Sequence, residues 1–294
     1  MEWLRRLAVA ESSLGVQLAL VLIYAVFWSF ALKRVGLMLQ RWLKRQAFAS
    51  NVIARSRRTM REGYGIYFDE RAAFETTCTI GAVLSQHAAG GLACAPSVVF
   101  GANAFTTPLA IHGALCEVGW EVSDVCIRTY ERAGFDGAAG VARNPWRFVG
   151  ILAAHHVMGL SMVVPMNLFH RDAPEYHELV CLLQLAAFVA GAAQLGCYAL
   201  TLPRDIRAMR VMVTVTLGAV LYSRVFRYYA VGRALLAILE SEPAMFKGGV
   251  VALAVMGAFN AVVLYDCAKK FVKFWRYDAL VDPPSPARIH RRPR

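Results

Sequence analysis

The chain has 294 residues, of which 57% are hydrophobic and only 18% are charged, and its formal net charge is +12. A water-soluble domain carries about 25% charged residues, so this composition excludes an ordinary soluble domain. Several windows of about 20 residues are almost free of charge, which is the length that a helix needs to cross a bilayer. We therefore predict an all-α fold, a polytopic transmembrane helical bundle.

Seven membrane spans can be placed from these apolar windows. We interpret the first as a retained span, because it is too long for the apolar core of a signal peptide and no small-x-small cleavage site follows it. The predicted spans cover residues 14–32, 74–98, 104–127, 148–168, 178–202, 211–232 and 248–268. They form an N-terminal segment with one helix (1–32) and a six-helix membrane core (74–268).

The distribution of Lys and Arg tests this count, because loops on the cytosolic or matrix side of a membrane are enriched in both residues. Seven spans make the loops alternate between two sides. One side then carries ten Lys and Arg in 33–73, four after the third span, three at 203–210 and eight in the tail, against five on the other side. This asymmetry places the C-terminus in the cytosol or in the mitochondrial matrix.

The segment 33–73 contains a predicted amphipathic helix. Its apolar residues form one helical stripe and its basic residues lie elsewhere, a pattern typical of a helix in the membrane interface. The basic residues flank spans and no nucleic-acid module is visible, so we expect anionic lipid headgroups as partners and no nucleic acid. The predicted headgroup contacts are Arg41, Lys44, Arg45, Arg55, Arg57 and Arg58. The tail at 269–294 is basic and rich in Pro and Arg, which predicts disorder unless a partner holds it.

Polar side chains inside the predicted spans are candidates for a functional site, because a charge at the bilayer centre costs about 2.5–3.5 kcal/mol or more. The polar side chains of the second, third, fourth and seventh spans lie in the half of the bilayer nearer the basic side. We therefore predict a shared polar cavity that opens toward that side. The residues predicted to line it or to bind lipid are His87, Glu117, Glu121, Asp124, His155, His156, Arg224, Arg227 and Asn260. His112 and Asp266 are further polar residues within the spans.

His155 and His156 are adjacent in the fourth span, and consecutive helical side chains point about 100° apart. Metal-binding histidines on a helix are usually four residues apart, so no metal is predicted, and no cofactor beyond a bound phospholipid. One histidine could act as a general acid or base, with Asp124 as a third catalytic candidate. Alternatively, both histidines hydrogen-bond to neighbouring helices.

The carboxylates Glu117, Glu121 and Asp124 share one face of the third span, because they follow i, i+4, i+7 spacing. Glu117 is the deepest of the three and must be paired or neutral. Arg224 lies near the middle of the sixth span, and Arg227 follows one turn later. Either a carboxylate of the third span neutralises these arginines, or they bind the phosphate or carboxylate of a lipid.

Taken in chain order, these elements resemble the TLC domain, the TRAM–LAG1–CLN8 family that includes the ceramide synthases. "LSQHAAGG" is similar to a histidine-containing helix of that family, "GWEVSD" to its Gly–aromatic–Asp element, and His155–His156 to its double histidine. "YSRVFRYY" and "GAFNAVVLYDCAKK" resemble its arginine-bearing and final helices. The resemblance covers residues 70–275 and implies a six-helix core located in the endoplasmic reticulum.

The sequence departs from the ceramide synthases after the double histidine. Those enzymes carry a His-Asp…Asp motif there that completes the acyl-transfer site, whereas residues 181–200 contain no aspartate. Gln184 or Gln194 could hydrogen-bond in its place, but neither can be a general base. Only Glu178 could correspond to the Glu-x-Ser-like element that the non-synthase members of the TLC family carry on this helix. Ceramide synthase activity is therefore not predicted.

Three functions are compatible with these features. The first is a non-catalytic, lipid-binding scaffold or accessory subunit of a larger membrane complex, for example a respiratory or ATP-synthase assembly, with other membrane subunits as partners. The second is a lipid-modifying enzyme that uses His155 or His156, and the third is a transporter or channel. The missing aspartates favour the first. The mitochondrial inner membrane suits a basic, Ala-rich chain without an Asn-x-Ser/Thr sequon, whereas the family resemblance implies the endoplasmic reticulum.

Seven spans place the two termini on opposite sides of the membrane. In sealed vesicles, we expect a membrane-impermeant maleimide to label Ser12→Cys only from one side and Ser285→Cys only from the other. The unsubstituted chain is the control, because it shows any labelling of the seven cysteines that the sequence already contains. Labelling of both introduced cysteines from the same side would contradict seven spans.

Overall fold

The fold is all-α in the part of the chain that the computed structural model describes, residues 1–277 without the side chains of Tyr64 and Arg147. Within that part there is no strand. The helices are α1 (Glu2–Ala8), α2 (Leu14–Leu43), α3 (Ala49–Tyr64), α4 (Glu70–Phe100), α5 (Thr106–Arg132), α6 (Gly137–Arg143), α7 (Trp146–Phe169), α8 (Pro174–Ala199), α9 (Ile206–Leu221), a π-helical turn (Tyr222–Phe226), α10 (Arg227–Leu239) and α11 (Pro243–Trp275). The predicted fold class is confirmed.

Six helical segments are long and apolar enough to cross a membrane. They are α2, α4, α7, α8, the continuous segment Ile206–Leu239 and α11. The segment Ile206–Leu239 consists of α9, the π-helical turn and α10. These six coincide with six of the seven predicted spans, and they define the protein as an integral membrane protein.

The remaining predicted span, 104–127, corresponds to α5, which is long enough to cross a membrane but is not among the apolar helices. This helix packs against α2, α4 and α7. Its polar residues Glu121 and Ser123 are buried in those contacts. A polar helix is tolerated inside a bundle when its polar groups face protein and not lipid, which explains the composition of α5.

Contacts between loops define two opposite ends of the bundle. At one end, the Ser12 hydroxyl donates a hydrogen bond to the Asn167 carbonyl oxygen at 3.2 Å. At the other end, the Asn51 amide donates to the Thr201 hydroxyl oxygen at 2.9 Å, which brings α3 next to the loop between α8 and α9. The long helices run alternately between these ends, as the seven-segment prediction requires. The basic segments therefore collect at one end.

The structure corrects the boundary predicted at residue 32. Helix α2 continues to Leu43, because nothing stronger than Gly36 interrupts the helical pattern and a single helical glycine is tolerated. Thirty residues span about 45 Å at about 1.5 Å per residue, more than the ~30 Å hydrocarbon layer. The segment 33–43 is therefore the basic end of a long span, and the separate helix at this end of the bundle is α3. Val52 and Met60 of α3 are buried against the bundle.

The C-terminal boundary also differs from the prediction. The predicted tail began at residue 269, but α11 continues to Trp275. The Arg210 guanidinium on α9 donates to the Phe274 carbonyl oxygen at 3.2 Å and ties down the end of α11. The rest of the predicted tail, 278–294, lies outside the described residues.

Gly119 sets the distance between α5 and α2. An added Cβ would lie 2.4 Å from the Tyr24 Cβ and 2.9 Å from the Ala25 backbone nitrogen. Because the backbone of α2 cannot rotate away as a side chain can, we expect Gly119→Ala to destabilise the protein by about 1–3 kcal/mol. Thermal unfolding in detergent, followed by circular dichroism, measures this.

Gly218→Ala on α9 is the matched control, since nothing lies within 4 Å of its added Cβ. Replacing a mid-helix glycine by alanine stabilises by roughly 0.5–1 kcal/mol. Equal melting temperatures for the two variants would contradict the close approach of α2 and α5.

Candidate functional site

The described structure contains a cavity of about 430 Å³, lined by α5, α7, α8, α10 and α11, with His87 from α4, Val220 from α9 and Arg224 from the π-helical turn. Most of its wall is apolar, with Met162, Leu183, Leu235 and Leu253 among the lining residues. The cavity also has a cluster of ionisable side chains, which we call the polar end: His87, Glu117, Glu121, His155, His156 and Arg224. All six were predicted from the sequence as cavity residues.

The cavity extends from the polar end toward the less basic end of the bundle. Met166, Tyr176 and Leu239 line it there, close to the loops that follow α7 and α10. The sequence predicted a cavity that opens toward the basic side, and the direction of that opening stays a prediction. The polar side chains converge as predicted. The apolar faces of α7 and α10, which line the rest of the cavity, lie between these side chains and the less basic end of the bundle.

His156 is fixed between two carboxylates of α5. Its side chain is only 3% exposed, and its Nε2 lies 3.2 Å from Asp124 Oδ2 while its Nδ1 lies 3.4 Å from Glu121 Oε1. The Arg128 guanidinium donates to the same Asp124 oxygen at 2.7 Å. The helical spacing of Glu121 and Asp124 therefore produces a clamp around one imidazole.

His155 lies beside the same carboxylate but is open to the cavity. Its ring stacks on Phe259, with ring centroids 4.7 Å apart, and its Nδ1 lies 3.1 Å from Met256 Sδ. Its Nε2 lies 4.0 Å from Glu121 Oε1, and the side chain is 21% exposed. Although consecutive helical side chains diverge, both rings reach Glu121, because this carboxylate on the facing helix lies between them.

Glu121 is buried, and its Oε2 has no hydrogen-bond partner among the described residues. Gly159 of α7 faces this oxygen so closely that an added Cβ would lie 2.3 Å from it. Glycine at this position leaves room for the carboxylate between α5 and α7, and a larger residue would displace the Glu121 side chain. Sequence reasoning missed Gly159, because its role depends on a neighbour that is distant in sequence.

Glu117 is paired, as its depth in the membrane predicted. Its Oε2 lies 3.0 Å from His87 Nδ1 and accepts a hydrogen bond from the Gln86 amide at 2.8 Å. Trp120 stands edge-on between His87 and His156, with ring centroids 5.3 Å and 5.2 Å away. Gln86 and Trp120 were not predicted as site residues, although both lie within the quoted motifs "LSQHAAGG" and "GWEVSD".

Arg224 lies in the π-helical turn and is buried. It donates to Asn260 Oδ1 at 3.0 Å and to the Leu183 carbonyl oxygen at 3.3 Å. No carboxylate of the described residues lies within 4.0 Å of it, so no third-span carboxylate forms a salt bridge with Arg224, and Glu117 attracts it only over a longer distance. Arg227 is exposed and pairs instead with Glu178 of α8, with Nη2 and Oε2 2.7 Å apart. The prediction that Arg227 lines the cavity is therefore wrong.

Two further polar residues of the predicted spans lie away from the cavity. His112 contacts the Tyr24 hydroxyl at 3.0 Å near α1. Asp266 is exposed and pairs with Lys270 at 2.5 Å.

The predicted headgroup residues lie at the basic end of the bundle, and most of them are exposed. Arg55 differs, because it is partly buried and its guanidinium donates to the Cys197 carbonyl oxygen. This contact joins α3 to the end of α8. The exposed members are Arg41, Lys44, Arg45, Arg57 and Arg58.

Comparisons of the chain with protein-family models, with curated proteins and with solved structures give no match. The class of protein is defined by its fold and its six apolar helices: an all-α integral membrane protein with an internal, mainly apolar cavity. The resemblance to the TLC domain rests on the quoted sequence elements alone and stays a prediction.

Proposed function

We propose that this membrane protein binds a lipid, with an acyl chain in the apolar part of the cavity and the polar part of the lipid at the polar end. The observation that carries this proposal is the cavity itself. Its volume of about 430 Å³ lies within the range of roughly 300–1,000 Å³ that small-molecule sites occupy. Apolar walls with a few convergent polar groups are the usual composition of such sites.

Arg224 is the group best suited to hold the lipid's polar part. A guanidinium has five N–H donors, and the hydrogen bonds to Asn260 and Leu183 use two of its nitrogens. Its charge has no carboxylate partner within 4.0 Å among the described residues, and Arg pairs readily with phosphate or carboxylate oxygens. This supports an anionic or ester-containing lipid, such as a phospholipid, as the ligand.

We further propose that the chain acts as a non-catalytic scaffold or accessory subunit of a larger membrane complex. The part of α8 that faces the cavity supplies Leu179, Val180, Leu183, Gln184 and Ala187. No carboxylate stands among them, and Gln184 uses its amide to hydrogen-bond the Gly113 carbonyl oxygen at 3.2 Å. The helix that follows the histidines therefore contributes no carboxylate to the cavity, which favours lipid binding over acyl transfer.

The proposed membrane and orientation follow from the sequence. A mitochondrial inner membrane, with a respiratory or ATP-synthase assembly as host, suits the basic, sequon-free chain, and the endoplasmic reticulum is the alternative that the TLC resemblance supports. In either membrane, the asymmetry of Lys and Arg favours a C-terminus on the matrix or cytosolic side.

One observation favours a second candidate function, a lipid-modifying enzyme. His155 faces the cavity beside Glu121, and His156 is oriented by Asp124 at 3.2 Å. A general base needs an oriented imidazole within reach of its substrate, and the cavity would place a lipid next to this pair.

Filling the cavity tests the lipid-binding proposal. Ala187 lines the cavity on α8, so Ala187→Phe places a ring in the space proposed for the acyl chain. We expect about tenfold less co-purifying lipid per chain, which corresponds to about 1.4 kcal/mol of binding free energy. Quantitative lipid mass spectrometry of the detergent-purified protein measures this ratio.

Val189→Phe is the matched control, since Val189 lies on the same helix, is 37% exposed and is not a cavity residue. This variant should keep the lipid content of the unsubstituted protein. Unchanged lipid in Ala187→Phe would overturn the proposal that the cavity is the binding site.

The enzyme candidate is tested on the same preparations by incubation with acyl-CoA and lipid acceptors. For a non-catalytic subunit we expect no product from the unsubstituted protein, and recovery with its partner subunits that is unaffected by replacing both histidines with alanine. Turnover that falls by about 10²–10⁴-fold in the double variant, the usual loss for a general base, would reject the scaffold proposal. His112→Ala is the control, because this histidine lies outside the cavity.

A further inference from the structure

Three side chains at the polar end of the cavity have the arrangement of a metal site. Glu121, His155 and His156 each offer one ligand atom, and these atoms all lie within 4.8 Å of one another. We propose that they bind one divalent transition-metal ion of the zinc class. This site goes beyond the proposed lipid binding and does not depend on it.

The distances fit such an ion. Ligand atoms about 2.0–2.2 Å from a tetrahedral zinc ion stand roughly 3.4 Å from one another. His156 Nδ1 lies 3.4 Å from Glu121 Oε1, and His155 Nε2 lies 4.0 Å from the same oxygen. Since the three ligand atoms lie within 4.8 Å of one another, movement of the cavity-facing His155 ring by roughly an ångström would complete the set of three ligands.

The hydrogen bonds of His156 leave the required nitrogen free. Its Nε2 faces the Asp124 carboxylate, which can only accept, so Nε2 carries a proton, and Nδ1, the nitrogen beside Glu121, is the one that a metal ion would take. His156 Nδ1 has no hydrogen-bond partner among the described residues. A carboxylate on the far nitrogen is the arrangement that orients metal-binding histidines in many proteins. Asp124 is itself held by Arg128.

The contacts of His155 leave its other nitrogen free. Its Nδ1 faces Met256 Sδ at 3.1 Å, and a thioether sulfur is only an acceptor. A proton on Nδ1 would face the thioether, which leaves Nε2, the nitrogen nearer Glu121, for a metal ion. Two imidazole lone pairs and one carboxylate oxygen converge on the same point, and a cation there would satisfy all three.

The surroundings of the Glu121 carboxylate also support a bound metal ion. Its Oε2 is buried without a hydrogen-bond partner among the described residues, and its ion-pair neighbours there are His155 and His156, the two other proposed ligands. By contrast, Asp124 has the permanent charge of Arg128, and Glu117 has a hydrogen bond from Gln86 besides its contact with His87. A buried carboxylate is usually paired with a cation or coordinates a metal.

The ligand types select the class of metal. Two imidazole nitrogens and one carboxylate oxygen suit Zn²⁺, Fe²⁺ or Co²⁺, whereas Mg²⁺ and Ca²⁺ prefer oxygen ligands throughout. All three residues line the cavity, so a fourth coordination position would face it. Water or an oxygen atom of a cavity ligand could occupy that position.

Cobalt binding to the full-length protein tests the proposal. The protein is purified in detergent, stripped with chelator and titrated with Co²⁺, whose visible absorption reports its coordination geometry. We expect about one Co²⁺ per chain, displaced by Zn²⁺, with mass spectrometry giving the metal content. Glu121→Gln and His155→Ala should each abolish the absorption. Asp124→Asn keeps all three ligands and should weaken binding by about 10–100-fold, as the loss of a group that orients a ligand does.

His87→Gln is the matched control, because His87 lies at the same end of the cavity but pairs with Glu117. It should still bind one equivalent. Size-exclusion chromatography and circular dichroism confirm that each variant is folded. The proposal is overturned if the folded, unsubstituted protein binds no Co²⁺, or if folded Glu121→Gln and His87→Gln bind it equally well.

Discussion

The centre of this bundle depends on one constraint, the cost of a carboxylate inside a membrane. Helix α5 carries Glu117, Glu121 and Asp124 on one face, and each needs a partner within the protein. The histidines of α4 and α7 supply those partners: His87 contacts Glu117, and His156 contacts both Asp124 and Glu121. Because these partners come from different helices, the pairs fix α5 between α4 and α7, and α5 can be polar without facing lipid.

The cavity follows from what lies next to these pairs. Beyond the polar end, the cavity is lined by small residues such as Ala187 and Ala252 together with long, flexible side chains such as Met162. Small residues leave space between helices that are held apart by other contacts, and a polar network cannot collapse into that space without losing its hydrogen bonds. The result is an apolar volume with ionisable groups at one end, which suits an amphipathic ligand.

The two adjacent histidines have different surroundings and hence different capacities. His156 is almost fully enclosed and fixed by Asp124, whereas His155 stacks on Phe259 and remains open to the cavity. They meet only at Glu121. A ligand in the cavity would therefore contact His155 first, while His156 and its carboxylates would hold the arrangement in place. The proposed lipid and metal sites use neighbouring parts of the same polar end and do not exclude each other.

The sequence by itself determined the properties that are local. Charge-free windows predicted the all-α membrane class and seven spans, six of which are long apolar helices in the described structure, because hydropathy over about 20 residues depends on no distant contact. The alternation of the chain between two ends was also predicted, and so were the six ionisable residues of the cavity, since a polar group inside a span is visible without a structure.

Only the tertiary structure decided how those residues face one another. The π-helical turn changes the helical phase around Arg224, so that Arg224 reaches Asn260 while Arg227 faces outward to Glu178. The convergence of His155 and His156 on Glu121 depends on the close approach of α5 and α7. Such phases and separations are set by packing between helices that are distant in sequence. Helical spacing within one segment contains no information about them.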